Sequence, residues 1–344
     1  MKTFHKTFLT VALLICSAIA LAQSANDAQT LIKQGVELHN AGKYAEAIEK
    51  FNEVLKTDPE NGYANYEAAF SLYAAKNGKD ALPYLEKAVK TDNVKLKVAS
   101  YCLLGTIYDE DHQTAKAIDA YNEGIKIDPD YPQIFFNKGI VYFRNQQYAE
   151  AENCAIDAIK HDPKNASSHR LYALVTFHQN KRANALYGLC SFILLEPNTQ
   201  RSAEAYTNIQ SILKGGVLKG NDGRTNLQVS SNDDKETGQL NLAISMVALS
   251  AQTKKLEGID LLEYELKSIF TLNGQLEEKK TDKTFFDKFF VEYFYKLAQS
   301  DNMPVFAHTV ALSANKEESF NWGKMHKAEI NAIEEWMQKT DRGF

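Results

Sequence analysis

Residues 132–165 read PQIFFNKGIVYFRNQQYAEAENCAIDAIKHDPKN. Two apolar stripes at helical spacing are separated by a short polar stretch, so the segment predicts a helix, a turn and a second helix. Asp162-Pro163 closes the second stripe, because proline cannot continue a helix. The pattern repeats outward in both directions. An acid precedes proline at Asp58-Pro59, Asp128-Pro129, Asp162-Pro163 and Glu196-Pro197, and Asp92-Asn93 fills the missing place. The steps are 34, 36, 34 and 34 residues. Small residues keep the same spacing at Gly35, Ala69, Gly105, Gly139 and Ala173, and alanines at Ala47, Ala81, Ala117, Ala151 and Ala185. The small residue in each first helix is expected to admit the backbone of the second. Large apolar residues such as Phe51, Leu85, Tyr121 and Leu189 then fill the space toward the next unit.

This pattern resembles the tetratricopeptide repeat, a 34-residue helix–turn–helix unit with small, aromatic, alanine and terminal proline positions in this order. Five units follow, at 28–61, 62–97, 98–131, 132–165 and 166–199, with a closing helix from Arg201 to Leu213. Gln34 and Lys138 stand where the family has apolar residues, and Thr176 replaces a large one. Two extra residues near Val94 to Lys97 are expected to disturb the stacking locally. The resemblance implies a right-handed superhelix whose inner face comes mainly from the first helix of each unit.

Mapped onto this chain, that implied inner face is aromatic. Tyr63, Tyr66, Phe70 and Tyr73 come from the second unit, and Phe136, Phe143 and Arg144 from the fourth. Arg170, Phe177 and His178 come from the fifth. Ile32 and Val36 stand where some family members begin a lysine–asparagine–arginine clamp for a terminal carboxylate, which argues against that use. Aromatic and arginine anchors dominate binding energy at interfaces, so the face predicts a protein or peptide partner. A large exposed aromatic patch is unusual on a soluble monomer. A second reading therefore fills the groove with the chain's own C-terminal helices. An enzyme with a recruiting repeat domain, and a carbohydrate- or small-ligand-binding protein, are the alternatives from other classes.

The first 22 residues carry Lys2, His5 and Lys6, then a nearly unbroken apolar run from Phe8 to Leu21, then Ala20-Leu21-Ala22. This is the three-part pattern of a secretory signal peptide. The run is shorter than the roughly 20 residues of a spanning helix. The expectation is a periplasmic or secreted protein beginning at Gln23. Removing Lys2 and Lys6 takes the formal charge from −5 to −7. With no long basic run, a nucleic-acid partner is not expected. Cys102, Cys154 and Cys190 remain, an odd number lying in helical patterns, which predicts buried thiols rather than a disulfide framework.

Beyond Gly215-Gly216 the pattern changes. Val217-Leu218 and Leu227-Gln228-Val229 flank Asn221-Asp222-Gly223, which predicts a short β-hairpin inside a 215–236 linker. Asp233 to Glu236 resembles a capping box. Helices are expected at about 238–252, 257–272 (stopped by Asn273-Gly274), 284–298, from Met303 to about Leu312, and at 317–338. The 284–298 helix carries two adjacent aromatic lines, Phe285, Phe289, Tyr293 and Phe286, Phe290, Phe294, a width that predicts core. The fold class is thus all-α: a solenoid over 28–214 and a helical region over 237–344 with one short hairpin between. No nucleophile elbow, phosphate loop, dinucleotide fingerprint or zinc spacing occurs in the sequence. The carboxylates Asp109-Glu110-Asp111 fall at a helix end, where solvated acids are routine. The expectation is a non-enzymatic scaffold without metal or cofactor.

Overall fold

The computed structural model describes residues 27–215, 217–219, 225–227 and 235–343. The expected leader at 1–22, the hairpin turn and Asp233 of the expected capping box lie outside these residues. The first helix, α1, covers residues 27–40. It is followed by α2 (Tyr44–Thr57), α3 (Gly62–Ala74), α4 (Gly78–Ala88), α5 (Val94–Glu110) and α6 (Thr114–Ile127). Next come α7 (Pro132–Arg144), α8 (Tyr148–His161), α9 (Ala166–His178), α10 (Arg182–Leu195) and α11 (Gln200–Lys214). The C-terminal helices are α12 (Lys235–Ala251), α13 (Gly258–Glu277), α14 (Glu292–Ala298), α15 (Met303–Ala311), α16 (Lys316–Met325) and α17 (Lys327–Lys339). The chain divides into two compact units, one ending at Val141 and the other beginning at Tyr142, within α7.

The punctuation between helices follows the sequence closely. Asp58, Asp128, Asp162 and Glu196 each end a helix with φ between −134° and −143° and ψ between 76° and 96°. The proline that follows pushes its predecessor out of helical space in this way. Three residues beyond Asp58, Asp162 and Glu196, and one beyond Asp92, Asn61, Asn165, Thr199 and Asn93 cap the next helix by accepting a backbone N–H. Within each unit the turn closes on a left-handed residue: Gly42, Lys76, His112, Gln146 and Asn180, with φ from 58° to 75°. The N–H after each of these donates five residues back, as Asn77 does to Leu72 and Gln147 to Tyr142. This is the Schellman arrangement that satisfies the last helical carbonyls.

All five repeat alanines are fully buried. The small positions work differently from expectation in two units. A Cβ on Gly35 or Gly105 would sit 2.5 Å from the ring of Phe51 or Tyr121. The glycine therefore receives an aromatic ring from the second helix, rather than its backbone. In the fifth unit the relation is reversed, and Gly188 of α10 receives the Ala173 side chain of α9. The departures also have partners. Lys138 donates to Asn122, Thr176 bonds back to the Tyr172 carbonyl, and Gln34 is exposed. The two extra residues are absorbed by helix length: α4 ends at Ala88, short of its counterparts, and α5 runs 17 residues where α3, α7 and α9 run 13.

The expected fold class needs one correction: the packed elements are all helices. At the expected hairpin there is only a ladder of two three-residue strands, Val217–Lys219 and Thr225–Leu227, in the register Val217↔Leu227. Strands this short, well below the usual 5–6 residues, form no layer of the fold.

In the second unit the C-terminal helices gather around α10, ten of whose 14 residues are buried. Tyr187 on α10 packs against Phe270, Phe286 and Phe294, and Tyr172 on α9 stacks on Phe290 at 5.1 Å. The aromatic stripe is core, as its width predicts: Phe289, Phe290, Tyr293 and Phe294 are all at most 2% exposed. Its first turns are π-helical over Asp287–Val291. The buried Asp287 there accepts from Lys280 and from the Thr284 backbone and hydroxyl. Near the C-terminus, Arg342 lies 4.0 Å over the Tyr293 ring and donates to Ser191.

Two C-terminal expectations change. Asn273-Gly274 does not stop α13, which continues to Glu277. Gly274 is there because the Tyr295 ring seats on it; an added Cβ would lie 2.1 Å from that ring. The helix expected at 317–338 is two, broken at His326 (φ −117°, ψ 43°). The His326 ring bonds to the Trp322 carbonyl at 2.8 Å.

Candidate binding site

In the first unit, α3 buries Ala64, Asn65, Ala68, Ala69 and Ser71. Its other side therefore carries Tyr63, Tyr66, Phe70 and Tyr73, three and four residues apart along one face. Phe70 stacks on His39 of α1 at 4.7 Å and on Tyr66 at 6.0 Å. His39 is held by Ser71 at 2.9 Å and by the edge of Tyr44. Burial lowers the His39 pKa, which favours the neutral ring in the stack. Burial also raises the pKa values of Tyr66 and Glu67. The ends of the row are tethered: Tyr63 accepts from Asn93 at 2.9 Å, and Tyr73 donates to Glu110 at 2.7 Å. Even so, Tyr63 is 51% and Phe70 37% exposed.

Phe136, on α7, is half-buried. From the neighbouring third repeat, Tyr131 and Cys102 stand near Tyr66. Cys102 is buried and accepts from Asn137 at 3.4 Å, and burial pushes its pKa up to about 12. The acids at 109–111 serve structure: Glu110 takes the Tyr73 hydroxyl, and Asp111 pairs with Lys79 at 2.6 Å. Lys79 and Gln113 hold the Asp111 pKa below its ordinary value.

In the second unit, His178 is the hub. It stacks on Tyr148 at 5.2 Å and meets Phe143 edge-on at 5.3 Å and Phe177 at 6.3 Å. Phe177 is 38% exposed. Arg144 is exposed, and Arg170 is engaged with Glu204 at 3.1 Å. The C-terminal aromatic helix packs on other residues of α9, namely His169 and Tyr172. It leaves Phe177 and His178 open.

Three contributors, His39, Tyr44 and Tyr148, complete these clusters outside the ten residues singled out from sequence. Tyr44 and Tyr148 occupy the same repeat position, the first residue of the second helix, and each stands beside a histidine ring. That coincidence was visible in the repeat spacing. Among the described residues no group of three or more metal-ligating side chains converges, and no helix is long and apolar enough to cross a membrane.

Comparison with known proteins follows the same geometry. Models of the tetratricopeptide repeat match residues 38–96 and 136–191, and a TPR repeat model matches 105–146. Human tetratricopeptide repeat protein 6 is 27% identical over 134 residues, 39% of this chain and 25% of its own. Mouse anaphase-promoting complex subunit 7 is 26% identical over 201 residues, 57% of this chain and 34% of its own. The chain thus spans a quarter to a third of the length of these relatives. Among solved structures, MamA aligns at 20% identity over 52% of this chain and 96% of its own, with a TM-score of 0.44. YrrB, a TPR protein with an unusual peptide-binding site, aligns at 19% identity over 55% of this chain and 97% of its own, with a TM-score of 0.43. The periodic residues, the capped helix pairs and the three repeat models agree that residues 38–96 and 105–191 are similar to tetratricopeptide repeats.

Proposed function

We propose that this protein is an exported, non-enzymatic scaffold that binds a peptide or an extended segment of a partner protein on the aromatic faces of its repeats. The observation that carries the reading is the exposure of Tyr63, Phe70 and Phe177 on first helices of the repeats, Phe70 and Phe177 beside histidine rings and Tyr63 held by Asn93. Rings held in place by neighbours lose little freedom on binding, which is what an anchor requires. In the second unit the C-terminal helices pack on His169, Tyr172 and α10, which favours an outside partner over self-filling there.

The test uses peptides selected by display against the wild-type protein. Phe70→Ala with Phe143→Ala should weaken their binding by about 30-fold for each of the two rings a peptide uses, from about 2 kcal/mol per lost anchor. The unfolding midpoint should be nearly unchanged. A lowered midpoint with unchanged binding would return these rings to a structural role. Export rests on the N-terminal pattern, and N-terminal sequencing of the protein from its native source should begin at Gln23; a chain still starting at Met1 would refute it.

A further inference from the structure

A second site of different chemistry lies in the last three helices. Between α15, α16 and α17 is a cleft of about 360 Å³, at the small end of the usual range for ligand sites. Val305, Leu312 and Ile330 give it one aliphatic wall. Trp322 also lines it, but its ring faces are taken. His308 stacks on the indole at 4.2 Å and His326 at 4.0 Å. Two rings that close and nearly parallel cannot share one face without colliding, so they take opposite faces. The indole can offer a ligand only its edge, which disfavours a stacked aromatic guest and leaves an aliphatic one.

Polar atoms in the cleft are unsatisfied. Ser319 is 95% buried (5% exposed), lines the cleft, and its hydroxyl has no hydrogen-bond partner. Nδ1 of His308, another lining residue, is buried and equally unpartnered. Orphaned buried polar atoms are uncommon in folded proteins and point to a missing partner. The charged residues that line the cleft are cationic. Lys324 lies over the exposed Phe320 ring at 4.6 Å and donates to Asn321 at 3.4 Å, and Lys327 is exposed. An aliphatic wall, inner hydroxyl and imidazole groups, and two lysines together suit one ligand chemistry. We propose that this cleft binds a medium-chain aliphatic carboxylate, its tail against Val305, Leu312 and Ile330 and its head near the lysines.

The experiment is calorimetric titration of the full chain with octanoate and, separately, octan-1-ol. Octanoate should bind saturably at one site, and the alcohol far more weakly. Lys324→Gln with Lys327→Gln should weaken octanoate about fivefold, as loss of partly exposed charge contacts does. Gly323→Leu places a side chain toward Ile330, whose Cδ1 lies 3.2 Å from a Cβ built there, and should abolish binding by filling the cleft. No saturation up to about 1 mM, equal binding of the alcohol, or a folded Gly323→Leu variant that binds normally would each overturn the proposal. If Gly323→Leu does not fold, the lysine pair decides: unchanged affinity there overturns it, and the expected loss upholds it.

Discussion

Lys76 and Gln146 hold backbone conformations that suit glycine. Both are exposed, both have φ near 60°, and both occupy the turn position that Gly42 fills in the first repeat. A side chain in left-handed space costs about 1–2 kcal/mol, partly offset by the entropy glycine loses on folding. Lys76→Gly and Gln146→Gly should each stabilise the protein by about 0.5–1 kcal/mol, read as a higher urea midpoint with an unchanged slope. His169 makes the opposite kind of demand. It donates to the Pro163 carbonyl at 2.9 Å and is buried beside Arg342. Burial, reinforced by Arg342, drops its pKa from 6.5 to about 3. Between those values the unfolded chain takes up a proton that the folded one refuses. His169 therefore weakens the fold progressively as pH falls from 6.5 toward 3, and has no such effect above that window. His169→Gln should flatten the pH dependence of the unfolding free energy across it, whatever its own cost at neutral pH.

At the scale of helices, legibility follows the range of the interactions. The repeat ends were readable because the signal is local: an acid before a proline that cannot continue the helix. Gly274 was misread as a stop because its reason, Tyr295, lies in another helix. The break at His326 involves neither proline nor glycine, and its ring bonds the carbonyl four residues back. The aromatic stripe announced a buried helix by its width. Its target, the apolar surface of α9 and α10, could not be read from spacing. That target carries a prediction. A chain cut after Lys214 loses the C-terminal rings that cover Tyr172 and Tyr187, each at most 1% exposed. It should bind a hydrophobic dye and self-associate, even though the aromatic face at His178 is open in the whole protein. A soluble, dye-negative fragment would mean that α10 can cover itself.

At the scale of the whole molecule, each of the two compact units carries its own aromatic cluster, one centred on Phe70 and the other on His178. The ten singled-out residues divide between them, and sequence could place them on repeat positions but not assign them to bodies. The same division gives the three cysteines a use. All are buried, Cys102 in the first unit and Cys154 and Cys190 in the second. Burial raises the pKa of Cys102 and Cys190, so little thiolate forms at neutral pH, and a bulky disulfide reagent must wait for the surrounding helices to part. Labelling of each sulfur in mild denaturant then becomes a clock on one body. If the two bodies open independently, Cys102 should react at a rate unrelated to that of Cys190, and Lys76→Gly should slow only the former. Identical rates for all three sulfurs, responding together to that change, would show that the repeats open as one cooperative array.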